Sequence, residues 1–233
     1  MTKIYCDIAD LSLIKKFKRK KLVKGFTTNP TLMKKAGAKN YSDYSKKVIN
    51  TLKKTKQELS LEVLADDLQN MRRQAYIINS WDKNVFVKIP VLNSSGKFQG
   101  ELIKELSDKK INLNITAVFS VEQCRKILKV INKKSKVIIS IFAGRSGDTG
   151  KDPIPEFKKS ILLSKNFKNV EILWASVREP YNYTQANQLG CHIITIPPSI
   201  IEKIENFGKS FKDLTEETVK NFLVDSKLSK FKI

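Results

Sequence analysis

Short apolar runs rich in β-branched residues alternate with amphipathic stretches along the whole chain. The apolar runs predict eight strands, at residues 4–7, 25–29, 59–63, 85–90, 113–119, 137–142, 171–177 and 191–197. Segments with helical spacing lie between them, at residues 9–20, 41–56, 66–80, 97–108, 120–133, 154–166, 180–189 and 198–206, and one more follows near residues 214–227. Eight strand–helix units in 233 residues predict an α/β fold, a (β/α)8 TIM barrel with an additional C-terminal helix. A doubly wound open sheet is the alternative.

No linker, repeat or low-complexity tract divides the chain, so we expect residues 1–233 to form one barrel domain. The helix at about 214–227 exceeds what eight units require, and we expect it to cap the barrel or to pack on a neighbouring subunit of a homo-oligomer. The N-terminus has no apolar stretch typical of a signal peptide. No segment approaches the roughly 20 apolar residues that span a bilayer. We therefore predict a soluble, cytoplasmic protein without a membrane partner.

Polar side chains fall on one parity of most predicted strands. Residues two apart share a face of a strand, so each strand has an apolar face for packing against helices and a second face that points into the barrel. The polar residues on the second face are Asp7, Asn29, Glu62, Lys88, Asn114, Thr116, Ser140, Ser176 and Arg178. On the seventh strand the same parity includes Trp174. A packed barrel interior is normally aliphatic, so this convergence predicts an active site at the C-terminal ends of the strands.

Lys88 stands inside the apolar segment 84–91 (NVFVKIPV), where a solvated lysine is out of place. Burial disfavours an ammonium ion, so a lysine held there keeps a nucleophilic amine near neutral pH. Such an amine can form a Schiff base with a carbonyl carbon. The alternative is a lysine on an exposed strand edge, and the polar groups of the other strands favour the reactive amine.

Arg145 and Arg178 are two of only six arginines and follow the sixth and seventh predicted strands. A guanidinium is the preferred partner of a phosphate or carboxylate, so with Ser176 they predict an anion site. The segment 144–152 (GRSGDTGKD) lacks the spacing of a P-loop, and we interpret it as a flexible loop.

The formal net charge of +21 raises the alternative of a nucleic-acid-binding protein. The basic residues are mostly lysines scattered over several predicted helices, without an RNA-binding aromatic motif. We therefore favour a lysine-rich surface and no nucleic-acid partner. Cys6, Cys124 and Cys191 lack a paired spacing and His192 is the single histidine, so neither a disulfide framework nor a metal site is predicted.

Seven segments resemble, in the family's order, the short members of the transaldolase family. They are residues 5–10 (YCDIAD), 25–30 (GFTTNP), 60–63 (SLEV), 85–90 (VFVKIP), 112–119 (NLNITAVF), 140–145 (SIFAGR) and 174–178 (WASVR). The resemblance covers essentially the whole chain.

The resemblance implies a class I aldol mechanism without a metal or cofactor, acting on phosphorylated sugars of the pentose phosphate pathway. Lys88 would attack C2 of fructose 6-phosphate or sedoheptulose 7-phosphate, and a dihydroxyacetone unit would pass to erythrose 4-phosphate or glyceraldehyde 3-phosphate. Asp7 would exchange the proton of the C4 hydroxyl, while Glu62 and Thr116 would hold the water used in imine formation and hydrolysis. The implied substrate-binding residues are Asn29, Thr28, Asn114, Ser140, Phe142, Arg145, Ser176 and Arg178, the last three of them at the phosphate.

Fructose 6-phosphate aldolases, which release free dihydroxyacetone, resemble this chain as well. They carry Gln where this chain has Glu62 and Tyr where it has Phe142, so both positions favour transfer over cleavage. The segment 146–150 (SGDTG) is unusual for the family after Arg145, and the preferred acceptor stays open.

Overall fold

The computed structural model describes residues 1–231, in which eight strands alternate with helices. The strands are β1 (Lys3–Asp7), β2 (Val23–Thr27), β3 (Glu58–Glu62), β4 (Val85–Pro90), β5 (Leu113–Val118), β6 (Val137–Phe142), β7 (Val170–Ala175) and β8 (Ile193–Ile196). Neighbouring strands are parallel, and β8 pairs with β1 to close the barrel. The predicted (β/α)8 TIM barrel is confirmed, and the open-sheet alternative is wrong.

Helices surround the barrel, and the last helix of the described residues is exposed along its whole length. They are α1 (Leu11–Phe17), α2 (Pro30–Lys35), α3 (Tyr41–Leu52), α4 (Leu68–Asn79), α5 (Gly100–Asp108), α6 (Val121–Val130), α7 (Ala143–Gly147), α8 (Ile154–Ser164), α9 (Tyr181–Gln188), α10 (Pro198–Ile204) and α11 (Phe211–Ser229). Helix α2 was not predicted. Its start has a local cause: the Asn29 side chain accepts a hydrogen bond from Leu32 N–H at 2.9 Å, and Pro30 takes the first helical position.

The segment predicted as a flexible loop after the sixth strand instead begins with a helix, so the prediction of a loop throughout is wrong. Helix α7 begins directly at the end of β6, and Asp148 N–H donates to the Gly144 carbonyl at 2.8 Å. Lys151 N–H then donates to the Ser146 carbonyl at 3.1 Å, which closes the following turn. These backbone hydrogen bonds satisfy the segment locally, which its glycine-rich composition does not reveal.

Two apolar clusters hold the barrel together. The larger one lies between the strands and the helices and includes the fully buried Leu61, Val87 and Ile115. The smaller one fills the barrel interior and consists of Tyr5, Phe86, Ile138, Leu173, Ala175 and Ile193. Several members stand two residues before a polar residue of the same strand, as Phe86 does before Lys88. The cluster therefore lies beneath the polar end of the barrel.

The predicted grouping of the seventh strand is wrong at Trp174. This side chain stacks on Phe157 of α8 with ring centroids 4.4 Å apart, so it faces the helices, whereas Leu173 and Ala175 face the barrel interior. The strict alternation of faces ends at Ser176, whose φ of 63° lies in the left-handed region. The chain turns there, and Ser176 still reaches the polar end of the barrel although it is not on the parity of the strand's interior residues.

Helix α11 is longer than predicted, and residues 205–231 are all exposed. It therefore does not cap the barrel, and of the two expectations only packing on a neighbouring subunit stays a prediction. Among residues 1–231, none of the helices has the length and apolar content needed to cross a membrane.

Candidate active site

A polar cavity of about 210 Å³ opens at the C-terminal ends of the strands, above the interior apolar cluster. It is lined by Asp7, Thr27, Asn29, Lys88, Asn114, Thr116, Ser140, Phe142, Arg145, Ala175, Ser176, Arg178 and Thr195. The structure thus brings together all but two of the residues expected at the site, Thr28 and Glu62. Thr28 is fully buried, and the Glu62 carboxylate lies 3.0 Å from Lys88.

Lys88 lies at the base of this cavity, and its side chain is only 10% exposed. Its Nζ lies 3.0 Å from Glu62 Oε2 and donates to the Thr28 carbonyl at 3.0 Å. Strand register produces the first contact, because Glu62 and Lys88 are direct partners across β3 and β4. A nearly buried ammonium needs such partners, since an unpaired buried charge is costly.

Glu62 reaches Lys88 from the side of the cavity and also lines a second cavity of about 230 Å³ with Tyr41, Arg73 and Gln74. The Tyr41 hydroxyl donates to the Glu62 carbonyl at 2.8 Å and accepts from the Glu62 N–H at 2.9 Å. This pair of bonds holds the end of β3 and therefore sets where the carboxylate lies.

The side chain of Thr28 does not take part in the expected way. It is fully buried, and its hydroxyl donates to the Ser60 carbonyl at 3.0 Å, so this hydroxyl does not face the cavity. Its contribution to the site is the backbone carbonyl that accepts from Lys88.

Asp7 lies on the opposite wall, at the end of β1, within a chain of hydroxyl groups. Thr27 Oγ1 lies 2.6 Å from Asp7 Oδ1 and 2.5 Å from Thr195 Oγ1. Burial raises the pKa of the Asp7 carboxyl, and Glu62 raises it further, while the Thr27 hydrogen bond and the charge of Lys88 oppose this shift. The result is a carboxyl group whose proton affinity is higher than that of a surface aspartate.

Thr195 was missed from the sequence, although a usable signal existed. It has the same parity as Ile193, which lies in the interior cluster, so the parity test applied to β8 finds it. The test also finds Thr27, which shares the strand parity of Asn29 and lines the cavity.

A buried amide network forms the third wall. Asn114 Nδ2 donates to Ser60 Oγ at 2.9 Å, and Ser140 Oγ donates to Asn114 Oδ1 at 2.7 Å. These bonds link β3, β5 and β6 and fix the orientation of the Asn114 side chain. Thr116 Oγ1 is different: it is buried at the cavity wall and has no hydrogen-bond partner within residues 1–231. An unpaired buried hydroxyl in a cavity wall suits a bound polar group.

The mouth of the cavity carries both predicted arginines. Arg145 lies in α7 with its guanidinium 5.5 Å from the ring centroid of Phe142. Arg178 follows β7, and its backbone N–H donates to Asn182 Oδ1 at 3.0 Å. Gly144 brings the two together, because a Cβ at this position would lie 1.8 Å from the Ser176 carbonyl oxygen. Only glycine allows α7 to approach the loop after β7 so closely.

The fold and this cavity define a class of protein: a (β/α)8 barrel with a buried lysine, flanking carboxylates and an arginine-lined mouth at the C-terminal ends of its strands. A family model described as transaldolase/fructose-6-phosphate aldolase matches residues 4–233. The chain belongs to the transaldolase/fructose-6-phosphate aldolase family. The family resemblance inferred from the seven segments is therefore confirmed.

Named relatives agree with this assignment. The chain is 32% identical over 225 residues to a probable transaldolase of Nitrosopumilus maritimus, covering 96% of this chain and 94% of the relative. It is 31% identical over 226 residues to a probable transaldolase of Dehalococcoides mccartyi, covering 97% and 98%.

Solved structures of low sequence identity share the fold alone. N-acetylneuraminate lyase from Mycoplasma synoviae superposes with a TM-score of 0.57 at 13% identity, covering 97% of this chain and 82% of the lyase. KGPDC from Streptococcus mutans gives a TM-score of 0.57 at 7% identity, covering 84% and 88%.

Proposed function

We propose that this protein is a transaldolase that carries a dihydroxyacetone unit on Lys88 from a ketose phosphate to an aldose phosphate. The observation that carries the proposal is the placement of Lys88: its amine lies at the base of a polar cavity, 3.0 Å from the Glu62 carboxylate. An amine can attack a carbonyl only after it loses a proton, and Glu62 is an acceptor within hydrogen-bond reach.

The first half-reaction begins when the Lys88 nitrogen adds to C2 of the ketose and water leaves, which gives an iminium ion. Asp7 then takes the proton of the C4 hydroxyl, the C3–C4 bond breaks, and its electron pair moves into the iminium to give an enamine. The first aldose leaves as an aldehyde. The raised pKa of Asp7 supports this role, because a general base is more effective when its pKa lies closer to the working pH.

The second half-reaction reverses these steps with another aldehyde. The enamine carbon attacks the carbonyl carbon, Asp7 returns its proton to the new hydroxyl group, and water hydrolyses the iminium to free Lys88. Glu62 and Thr116 are the proposed holders of the water used in the imine steps, which is supported by the contact of Glu62 with Lys88 and by the unpaired Thr116 hydroxyl. Asn29, Asn114 and Ser140 supply hydrogen-bonding groups for the three-carbon unit, which stays bound between the two halves.

The proposed substrates are phosphorylated sugars because the cavity mouth carries Arg145, Ser176 and Arg178. A phosphate group is common to donor and acceptor, so one anion site can serve both half-reactions. The mechanism as proposed uses no metal and no cofactor.

The test is borohydride trapping with fructose 6-phosphate followed by peptide mass spectrometry. We expect a three-carbon adduct on Lys88 in the native protein and none in Lys88→Met. Lys3→Met is the matched control, since Lys3 is another ion-paired lysine, 2.6 Å from Glu171 at the opposite end of the barrel. An adduct on another lysine, or no adduct at all, would contradict the proposal.

Turnover with and without an acceptor separates transfer from cleavage. We expect release of glyceraldehyde 3-phosphate from fructose 6-phosphate to be much faster when erythrose 4-phosphate is present. Equal rates with and without it would instead establish a fructose 6-phosphate aldolase.

A further inference from the structure

One of the two arginines at the cavity mouth is already occupied by a carboxylate of the same chain. Arg178 Nε donates to Asp148 Oδ1 at 3.1 Å, and Arg178 Nη2 donates to Asp148 Oδ2 at 2.5 Å. This is the two-pronged geometry that a guanidinium also uses for a phosphate group. The Arg178 donors that face Asp148 cannot simultaneously bind a phosphate in that geometry.

Asp148 is held in place by the backbone and not only by this ion pair. It caps the C-terminal end of α7 through its N–H bond to the Gly144 carbonyl, and Gly144 packs directly on the Ser176 carbonyl. Arg178 is anchored in turn by the bond from its own N–H to Asn182. The carboxylate and the guanidinium therefore meet because α7 and the loop after β7 are in direct contact.

Arg145 differs from Arg178 in its partners. Among the side chains of residues 1–231 it contacts the ring of Phe142 but forms no ion pair within 4.0 Å, and it lines the same cavity. The mouth thus has one guanidinium without an ion pair and one whose donors an incoming anion must share with Asp148. The hydrogen bonds from Arg178 lower the pKa of the Asp148 carboxyl, and the charges of Arg178 and of the nearby Arg145 lower it further, so this competitor is ionised at neutral pH.

We propose that Asp148 is a specificity-determining residue that weakens the phosphate subsite by competing for Arg178. The consequence is a site that discriminates less strongly between a phosphorylated acceptor and the corresponding free aldehyde than the two arginines alone would allow. The identity of these substrates rests on the function proposed above, whereas the competition between two anions for one guanidinium does not. An exposed ion pair has a modest strength, so the expected effect of removing the carboxylate is about threefold to tenfold.

The experiment compares inorganic phosphate binding by isothermal titration calorimetry in the native protein, Asp148→Asn and Asp148→Ala. Glu122→Gln is the matched control: it changes the net charge by the same amount and releases an exposed arginine, Arg125, that lies outside the cavity lining. Arg178→Gln alone and Arg178→Gln combined with Asp148→Ala complete a double-mutant cycle. Thermal unfolding of each variant verifies that it folds. Asp148→Asn keeps the size of the side chain and carries the test if Asp148→Ala fails to fold.

We expect the Kd for phosphate to fall about threefold to tenfold in Asp148→Asn and Asp148→Ala, and to stay constant in Glu122→Gln. When Arg178 is already changed to Gln, the Asp148→Ala substitution should no longer lower the Kd. The ratio of kcat/KM for glyceraldehyde 3-phosphate to that for glyceraldehyde should rise by a similar factor. Unchanged or weaker phosphate binding in both Asp148 variants, or an equal gain in Glu122→Gln, would overturn the proposal. Absence of turnover with every sugar, alongside the expected phosphate binding, would overturn only the proposed function.

Discussion

The hydroxyl of Tyr41 bonds to both backbone groups of Glu62, donating to the carbonyl and accepting from the N–H. Tyr41 is the first residue of helix α3, and Glu62 is the last residue of β3. This one hydroxyl therefore connects the helix to the residue whose carboxylate contacts Lys88. The carboxylate position is thus set from outside the cavity. We therefore expect Tyr41 to act as a positioning residue and not as a catalytic one.

Tyr41→Phe should lower both stability and activity. Removing the hydroxyl leaves two backbone groups without their partner, at a cost of about 1–3 kcal/mol in the free energy of unfolding. The displaced Glu62 carboxylate should slow imine formation by about tenfold. Urea unfolding measures the first effect, and the rate of borohydride trapping with fructose 6-phosphate measures the second.

Tyr44→Phe is the control for this prediction. Its hydroxyl also bonds to backbone, at the carbonyls of Ala9 and Ala36, but it does not contact Glu62. We expect a loss of stability with the trapping rate retained. Equal trapping rates in Tyr41→Phe and the native protein would show that the Tyr41 hydroxyl only stabilises the fold.

Asp7→Asn should stabilise the protein at neutral pH while it abolishes transfer. Because burial raises the Asp7 pKa, the folded state prefers the protonated carboxyl. The associated stability is present below the ordinary value of 3.8 and is lost as pH rises through the folded-state pKa. An amide cannot ionise, so the difference in melting temperature between Asp7→Asn and the native protein should grow from pH 4 to pH 8.

Asp10→Asn gives the opposite sign and serves as a comparison. Hydrogen bonds from Ser12 and the Leu13 N–H lower the Asp10 pKa, so its ionised form stabilises the fold above the ordinary pKa, and this is lost as pH falls. Its substitution should lower the melting temperature at pH 8. A melting temperature of Asp7→Asn below that of the native protein at pH 8 would contradict the expected sign for Asp7.

Gly144→Ala should damage phosphate recognition more than the chemistry at Lys88. The added Cβ would lie 1.8 Å from the Ser176 carbonyl oxygen and 2.9 Å from Arg178 Cγ, so α7 must shift and carry Arg145 with it. We expect KM for fructose 6-phosphate to rise by about tenfold or more. Steady-state kinetics with the phosphorylated and the unphosphorylated ketose measures the difference.

Gly147→Ala is the same substitution in the same helix. A Cβ at Gly147 meets nothing within 4 Å, and alanine favours a helix over glycine by roughly 0.5–1 kcal/mol. KM should stay constant and the melting temperature should rise slightly. If both variants raise KM equally, the contact between Gly144 and Ser176 is not what places the arginines.

Helix α11 should hold a homo-oligomer together. It exposes Phe211, Leu214, Phe222 and Leu228 along a helix that does not pack on its own barrel, and exposed apolar patches of this kind mark interfaces. Phe222→Glu should shift the protein towards the monomer in sedimentation velocity. Asn221→Glu adds the same charge to the neighbouring exposed position and should not. An unchanged distribution in Phe222→Glu, or a monomeric native protein, would rule this role out.

Strand parity predicted much of the site because successive side chains of a barrel strand point alternately into the barrel interior and towards the helices. Asp7, Lys88 and Ser140 lie where the alternation places them, and at Lys88 the register of β4 with both neighbouring strands is regular. Parity failed at Trp174 and Ser176, where a left-handed residue interrupts the alternation. It also could not assign Thr28, whose residue type suits a ligand contact but whose side chain is directed into the wall.

The sequence by itself determined the alternation of eight strands with helices and the lysine-centred polar face, because these follow from hydrophobic periodicity and residue type. The tertiary structure alone decided that the sheet closes into a barrel, that Asp148 pairs with Arg178 and that Tyr41 supports Glu62. The two pairings join residues about 20 to 30 positions apart that meet only after the barrel closes. Local pattern carries no information on such contacts, since their distances are set by packing between elements and not by spacing within one.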